Sequence, residues 1–484
     1  MPTESPPNCL SKVSQIAYRK FAKLPTESSP NCLKIFEKSL SDKKIVVPLP
    51  PKNDKNIMKE YKERIADKLL YNKLQGVGAV LVEGAKWCGK TTTSEHVAKS
   101  VLYMDSPKDR KMNLKLVEID PEILLQGETP RLIDEWQIAP ELWDAVRFSV
   151  DHRDDDGQFI LTGSVSPLSD EDIAKIYHSG TGRIARLKMR TMSLWESGDS
   201  NGAISLEKLF SGDEKMVGTN DLELNDIAWL VCRGGWPRAV CQNRKTALDR
   251  AFDYYDTVVN VDVKSPDGIE RNPERTKLLM RSYARNQGGQ ASLSSICQDM
   301  KTNDNDTLND NTVYSYIQAL KSIFVIEDCK SWNPNLRSKT AVRTSDTRYF
   351  TDSSIAVAAL GIGPKDLMGD LNTFGLFFET LCVHDLRIYA QALDGEVYHY
   401  RDKDGLECDA VVHLRNGSYG LVEIKLGGDT LIEEGAKSLK KLASKIDTDR
   451  MKEPSFMMVL TAVGKYAFKR DDGIWIVPVG CLKD

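Results

Sequence analysis

Gly84-Ala85-Lys86-Trp87-Cys88-Gly89-Lys90-Thr91 follows the spacing G-x-x-x-x-G-K-[ST], and its residue types answer the requirements of polyphosphate binding. Gly84 and Gly89 let the chain fold into a concave nest whose N–H groups point inward. A helix starting there adds its positive dipole end beneath the phosphates. Lys90 supplies a point charge for the β- and γ-phosphates, and the Thr91 hydroxyl supplies one ligand of an octahedral Mg2+. The run from Gly84 to Thr92, with Ala85, Lys86, Trp87 and Cys88 inside it, is therefore expected to bind nucleotide. Alkylation of Cys88 is expected to block that binding, with no catalytic role for the thiol.

A second element would complete the chemistry. Arg131-Leu132-Ile133-Asp134-Glu135 puts two carboxylates at the end of an apolar run. Asp134 is expected to hold Mg2+ through water, and Glu135 to polarise the attacking water. The structural alternative is a pair of carboxylates capping Trp136 and a following helix. Phe159-Ile160-Leu161-Thr162-Gly163-Ser164 ends in hydroxyls, so Thr162 or Ser164 is a candidate to reach the γ-phosphate. Arg183 and Arg186 are candidates to place a guanidinium on the transferred phosphate. Either acts from this subunit or from a neighbour, and the second case requires a homo-oligomer. No Asn-Lys-x-Asp guanine-reading run occurs, so ATP with Mg2+ is the expected cofactor pair.

These residues need elements to hold them. Ile65, Leu69 and Leu70 predict an amphipathic helix over Tyr61–Leu74. Gly78–Glu83 reads as a buried strand and Thr91–Leu102 as the helix after the loop. Strand-like pieces recur at Lys115–Ile119, Arg131–Ile133 and Gln158–Leu161, with a helix over Pro140–Val150. Strands alternating with helices imply a parallel sheet covered on both faces. The chain turns mostly helical from about Asn201 through Asn260. Three more helices are expected at Pro273–Asn286, Leu293–Met300 and Asn311–Ile323, and an antiparallel meander from Glu396 onward. With 484 residues, several domains are expected. The net charge of −4 excludes a global basic field that grips nucleic acid unaided, though not a local patch. No apolar run approaches the ~18 residues that a membrane span needs. The ten cysteines are scattered without a CxxC pair, and no secretion signal is seen, so a reducing cytoplasm is expected. Thr3–Leu10 returns with one change as Thr26–Leu33, too short a duplication for a solenoid. Val47–Lys52 reads as a linker.

GAKWCGKTT, RLIDEWQ, FILTGS, SGTGRIARLKMRTMSLWE and Gly234-Gly235-Trp236-Pro237 together resemble the prokaryotic AAA-type ATPases. The likeness is closest to the group in which the ATPase core is fused to a C-terminal domain of unknown function. It runs from about Lys73 to the C-terminus and leaves Met1–Pro50 uncovered. The resemblance implies an α/β fold: a P-loop NTPase parallel sheet with a helical lid, then a winged helix and a restriction-endonuclease-like α/β domain. The duplicated segment over 1–50 reads as a weakly ordered tail; the implied layout after it is an ATPase core over 51–200 and a lid over 201–265. A winged-helix domain over 266–350 and a nuclease-like domain over 351–484 follow.

Within that layout Asn311–Ile323 suits a recognition helix, with Tyr314 and Tyr316 among polar residues and Lys321 near its end. Lys330, Arg337, Lys339, Arg343 and Arg348 face the single acid Asp346 over Lys330–Tyr349. That local surplus is a phosphate footprint, so DNA is the expected partner; the alternative is a packing module with a solvated charged face. Glu407 and Asp409 share one strand face, as do Glu423 and Lys425. This E-x-D, then E-x-K pattern matches the metal-binding core of the PD-(D/E)xK nuclease-like fold. Asp409 and Glu423 would hold a second Mg2+, Lys425 would orient or deprotonate water, and Glu379 resembles the family's helix carboxylate. The alternative is a cross-strand Glu–Lys pair on a solvated face. His384, His399 and His413 show no ligand spacing and read as structural. Two functions follow. One is an ATP-hydrolysing, DNA-associated enzyme. The other is a nucleotide-gated regulatory module whose nuclease-like fold is catalytically inactive.

Overall fold

The computed structural model describes residues 61–153, 155–165, 180–264, 266–301, 308–334, 345–449 and 451–484. The N-terminal duplication, the 47–52 linker and Arg337, Lys339 and Arg343 lie outside them.

The chain enters through helix α1 (Ile65–Leu74), strand β1 (Ala79–Glu83) and helix α2 (Lys90–Val97). Strand β2 (Ser100–Tyr103), helix α3 (Arg110–Ile119), strand β3 (Arg131–Asp134), helix α4 (Glu141–Arg153), strand β4 (Phe159–Gly163) and strand β5 (Ile184–Lys188) follow. The five strands form one parallel sheet in the order β2-β3-β4-β1-β5. Val80, Leu81 and Val82 are buried on both faces of the sheet, which is why the strand is an unbroken apolar run.

Two local expectations fail here. The helix after the loop stops at Val97, and Ser100–Tyr103 is a strand paired in register with Arg131–Asp134. Its β-bias is satisfied by a partner some thirty positions downstream, so helical periodicity did not reveal the boundary. Lys115–Ile119 is the last part of α3, where Val117 turns inward; its apparent alternation is one face of an amphipathic helix.

Beyond β5 lie strand β6 (Ile204–Ser205), helix α5 (Leu206–Ser211), strand β7 (Gly218–Thr219), helix α6 (Leu224–Arg233) and helix α7 (Arg244–Asn260). Helices α8 (Pro273–Arg285), α9 (Leu293–Lys301) and α10 (Asp310–Ser322) come next. After α10, antiparallel bridges join Ile326 to Phe350 and Cys329 to Thr347. Helix α11 (Ser353–Leu360) and helix α12 (Leu371–Ala392) lead into the C-terminal sheet. Phe374, Phe377, Phe378, Leu381, Leu386 and Tyr389 of α12 are all buried. A helix so apolar around its circumference belongs inside a core, and burying each such side chain is worth about 1.5–3 kcal/mol.

That sheet contains β8 (Gly395–Arg401), β9 (Glu407–Leu414), β10 (Tyr419–Lys425), β11 (Phe456–Thr461), β12 (Tyr466–Lys469) and β13 (Ile474–Pro478), in the order β7-β12-β13-β11-β10-β9-β8. The expected antiparallel meander holds only for β8, β9 and β10. β10, β11 and β13 run parallel, because helix α13 (Asp429–Lys445) carries the chain back across the sheet. The final strand β14 (Leu482–Lys483) pairs with β6, joining the end of the chain to the segment after the first sheet.

Candidate functional site

The loop after β1 wraps around its own lysine. Lys90 Nζ donates to Gly84 O and Ala85 O, each at 2.9 Å, and the residue is 5% exposed. Gly89 caps α2 at φ +104°, a left-handed conformation that favours glycine. A Cβ on Gly84 would lie 2.0 Å from Met189 O, so no larger residue fits that approach. Cys88 is fully buried, its Sγ 3.6 Å from Met189 O. Trp87 stands half exposed at φ +65°, and Thr92 is exposed. Lys86 pairs with the buried Asp262 at 2.6 Å.

Opposite the loop, Thr91 Oγ1 donates to Asp134 Oδ1 at 2.8 Å, and Thr162 Oγ1 donates to the same oxygen at 2.5 Å. Glu135 is left-handed at φ +56°. Its backbone N–H donates to Thr162 Oγ1 at 3.1 Å, and its carboxylate accepts from Ser164 Oγ at 3.1 Å and from Gln137 Nε2. Thus Lys90, Thr91, Asp134, Glu135, Thr162 and Ser164 come together at the C-terminal ends of β1, β3 and β4. That is where open α/β sheets bind ligands. The donor set suits Mg2+: a hydroxyl and a carboxylate already in contact, with an ammonium free to turn from carbonyls to phosphate oxygens.

Residues 77–197 match the family described as AAA domain. The α/β architecture with its parallel five-stranded sheet fits a P-loop NTPase, and this segment is of the AAA type. Residues 224–366 and 374–482 match two families described as domains of unknown function, DUF8612 and DUF4143. Uncharacterized proteins of Mycobacterium bovis and Mycobacterium tuberculosis are each 24% identical over 370 residues, covering 74% of this chain and 73% of theirs. Among solved structures, the Walker-type ATPase paby2304 of Pyrococcus abyssi is 15% identical, covers 64% of this chain and 99% of its own, and has a TM-score of 0.40.

Arg183 does not join the AAA site within one chain. It precedes β5, and its carbonyl accepts from Ala79 N at the start of β1. The phosphate loop lies at the other end of that strand, about 16 Å away at 3.3 Å per residue. Its guanidinium is held by Asp151 at 2.7 Å. Arg186 pairs with Glu83 at 2.9 Å on the surface. The parallel register decides both outcomes, and a one-dimensional reading does not carry it.

Arg64 was missed. It is 7% exposed and donates to Cys88 O at 3.1 Å, to Arg190 O at 2.9 Å and to Glu196 at 3.1 Å. It braces the outer turn of the loop from α1. No spacing rule marks a lone arginine ahead of a helix. The Gly234–Pro237 run also proves to be a bracket. Gly235 N donates to Asp352 at 2.9 Å, Trp236 Nε1 to Ser354 Oγ at 2.9 Å, and a Cβ on Gly89 would meet Pro237 at 3.4 Å. His384 is buried between Thr191, at 2.9 Å, and Asp385, at 2.9 Å.

The carboxylates of the C-terminal sheet form a second cluster. Lys425 Nζ lies 2.7 Å from Glu423 and 3.3 Å from Asp409. Glu379 accepts from Tyr349 OH, and Gly288 sits directly over its carboxylate. Burial, then the Asp409 charge, pushes Glu379 well above the ordinary carboxylate range. The same two causes raise Glu423 to about 7 against the pull of Lys425. Among the described residues no three His, Cys, Asp or Glu side chains converge as a ligand set. Of the residues expected at a second Mg2+ site, Asp409 and Glu423 are bridged by the Lys425 ammonium, and Glu379 accepts from Tyr349. Glu407 turns to Arg401 at 3.0 Å.

The expected recognition helix also differs in detail. Tyr316 is buried, its hydroxyl accepting from Asn272 N at 2.9 Å, while Tyr314 is exposed. Lys321 and Arg348 both pair with Asp328 at 2.8 Å, so neither is a spare phosphate contact. No described helix is long and apolar enough to cross a membrane.

Proposed function

We propose that the chain binds ATP with Mg2+ and hydrolyses it, and that the C-terminal half uses that cycle on DNA. The observation that carries the reading is the triple contact at Asp134: Thr91 and Thr162 hydroxyls on one carboxylate oxygen, beside a loop closed on Lys90. In this reading Lys90 turns from Gly84 O and Ala85 O onto the β- and γ-phosphates, and loop N–H groups hold the remaining oxygens. Thr91 and Asp134 hold the metal, which neutralises charge developing on the phosphates. Ser164 and Gln137 fix the Glu135 carboxylate so that it orients the attacking water. Lys86 and Asp262 link the loop to the helical segment proposed as a lid.

The order α8-α9-α10 followed by the Ile326–Phe350 and Cys329–Thr347 bridges supports a winged helix. The mixed sheet with α12 behind it supports a restriction-endonuclease-like domain. Lys425 seated between Asp409 and Glu423 favours the second reading for that domain, a nuclease-like scaffold without cleavage activity. A cytoplasmic, oligomeric form, with Arg183 or Arg186 acting across subunits, belongs to the same proposal. The test is nucleotide hydrolysis by the wild-type chain and by Lys90→Ala, with and without single- or double-stranded DNA. A drop of about 10³-fold or more in Lys90→Ala is expected; hydrolysis at the parental rate would place the phosphate site elsewhere.

A further inference from the structure

A polar cleft of about 890 Å3 opens away from the nucleotide loop, between β5 and α1 on one side and the β8–β9 edge on the other. Its volume suits a ligand of a few nucleotides, not a lone anion. Seven Lys or Arg side chains line it against five Asp or Glu, in a chain that is net acidic. The local surplus is larger than that count. Asp328 is already paired with Lys321 and Arg348, which lie outside the lining. Glu327 alone faces Lys188 at 2.9 Å, Arg190 at 2.7 Å and Arg387 at 3.9 Å. Among the described residues no carboxylate pairs with Lys73 or Lys330 at the rim. The half-buried rings of Tyr398 and His413 also line it and meet edge to face, 6.3 Å apart; His413 further touches Trp332 and Tyr419 edge-on, and the Tyr398 hydroxyl donates to Glu396 at 2.7 Å. Cations along a groove with partly exposed aromatic rings in its wall suit a phosphate backbone whose unpaired bases reach those rings.

We propose that this cleft binds a short run of single-stranded nucleic acid, with phosphates on Lys73 and Lys330 and a base on Tyr398 and His413. The cleft is also connected to the nucleotide loop. Arg190 reaches into it through Glu327 and Gln391, and its carbonyl accepts from Arg64, which also holds Cys88 O. Strand occupancy therefore changes the affinity of the loop for nucleotide. Only this second half rests on the ATP-binding reading.

The experiment measures anisotropy of a fluorescent oligo-dT on the full chain, without nucleotide, across a salt series. Lys73→Glu with Lys330→Glu is expected to weaken binding at least about tenfold and flatten the salt slope by about 1.4. The matched pair Lys111→Glu with Lys437→Glu, exposed elsewhere, changes it less than about twofold. Equal weakening by both pairs, or no binding at low salt, overturns the cleft. Competition by duplex as strong as by the same strand alone overturns the single-strand assignment, as does full displacement by thymidine monophosphate at equal concentration. Lys90→Ala keeps strand binding if the cleft is right, so a failed nucleotide site and a failed cleft give different results. In the wild type, saturating strand shifts the affinity for a non-hydrolysable ATP analogue by about fivefold; an unchanged affinity removes the connection.

Discussion

The nucleotide loop and the carboxylate cluster of the C-terminal sheet each hold a lysine among oxygens, yet they are built in opposite ways. Lys90 rests on two neutral carbonyls of its own loop. Its charge is uncommitted, so an arriving anion gains an ammonium at the cost of two ordinary hydrogen bonds. Lys425 instead bridges two carboxylates while a third, Glu379, stands half-buried beside them. Its charge is spent, and the surrounding excess is negative. A cation entering there must first displace an ammonium that burial holds in place. One lysine waits for a ligand, whereas the other stands in for one. The loop is also closed by residues adjacent in sequence, whereas the cluster is roofed by Gly288 and Tyr349 from a different part of the chain.

The sharpest way to break this contrast is Glu135→Gln. Hydrolysis should fall about 10²–10³-fold while nucleotide affinity stays within a few fold, because in the proposed mechanism the group acts on water and not on phosphate. An equal loss in kcat and in binding would demote Glu135 to a structural cap. Next in size is Lys425→Met, which leaves Asp409 and Glu423 facing each other. We expect a loss of about 2–3 kcal/mol by urea unfolding, partly restored by millimolar Mg2+ or Mn2+. If the variant is as stable as the parent and ignores the metal, the ammonium is not occupying a cation position.

A third test uses the buried His399, which burial pulls from 6.5 to about 4. The unfolded chain then binds more protons than the folded one between those values. The neutral ring's contribution is complete above about pH 6.5 and is lost as pH falls toward 4, by up to about 3 kcal/mol. His399→Gln should flatten that part of the stability–pH curve; an unchanged slope assigns it to other groups. The smallest effect is expected for Arg183→Ala in a monomeric sample, less than about twofold in hydrolysis. A large loss that appears only at concentrations where the chain self-associates would restore Arg183 as a residue acting across subunits.

Much of the first sheet could be read from single strands because β1, β3 and β4 each carry a short buried apolar run. β2 and α3 were misread and β5 was not read at all, because a short segment's pattern fits both periods and a distant partner decides. The same holds for the C-terminal sheet. Three strands joined by tight turns were visible, but the parallel return of β11 depends on α13 packing across the sheet. At the sites, Asp134 and Thr91 were foreseeable from contiguous motifs. Arg64 acquires meaning only from its neighbours, and Thr162, a candidate for the γ-phosphate, is turned to Asp134. Arg183 shows the converse, a plausible motif that parallel register moves to the far end of the strand.

What linear order carried was the proposed chemistry of the loop, since backbone amides and Lys90 need only eight consecutive residues to form the nest proposed for phosphate. Tertiary packing chose where the remaining charges meet. Arg190 reaches Glu327 across 137 positions and Lys86 reaches Asp262 across 176. Coulomb energy depends on separation and burial, not on place in the chain. The paired lysine at Asp409, the surplus of cations in the cleft and the isolation of Arg183 were therefore fixed only when the elements came together.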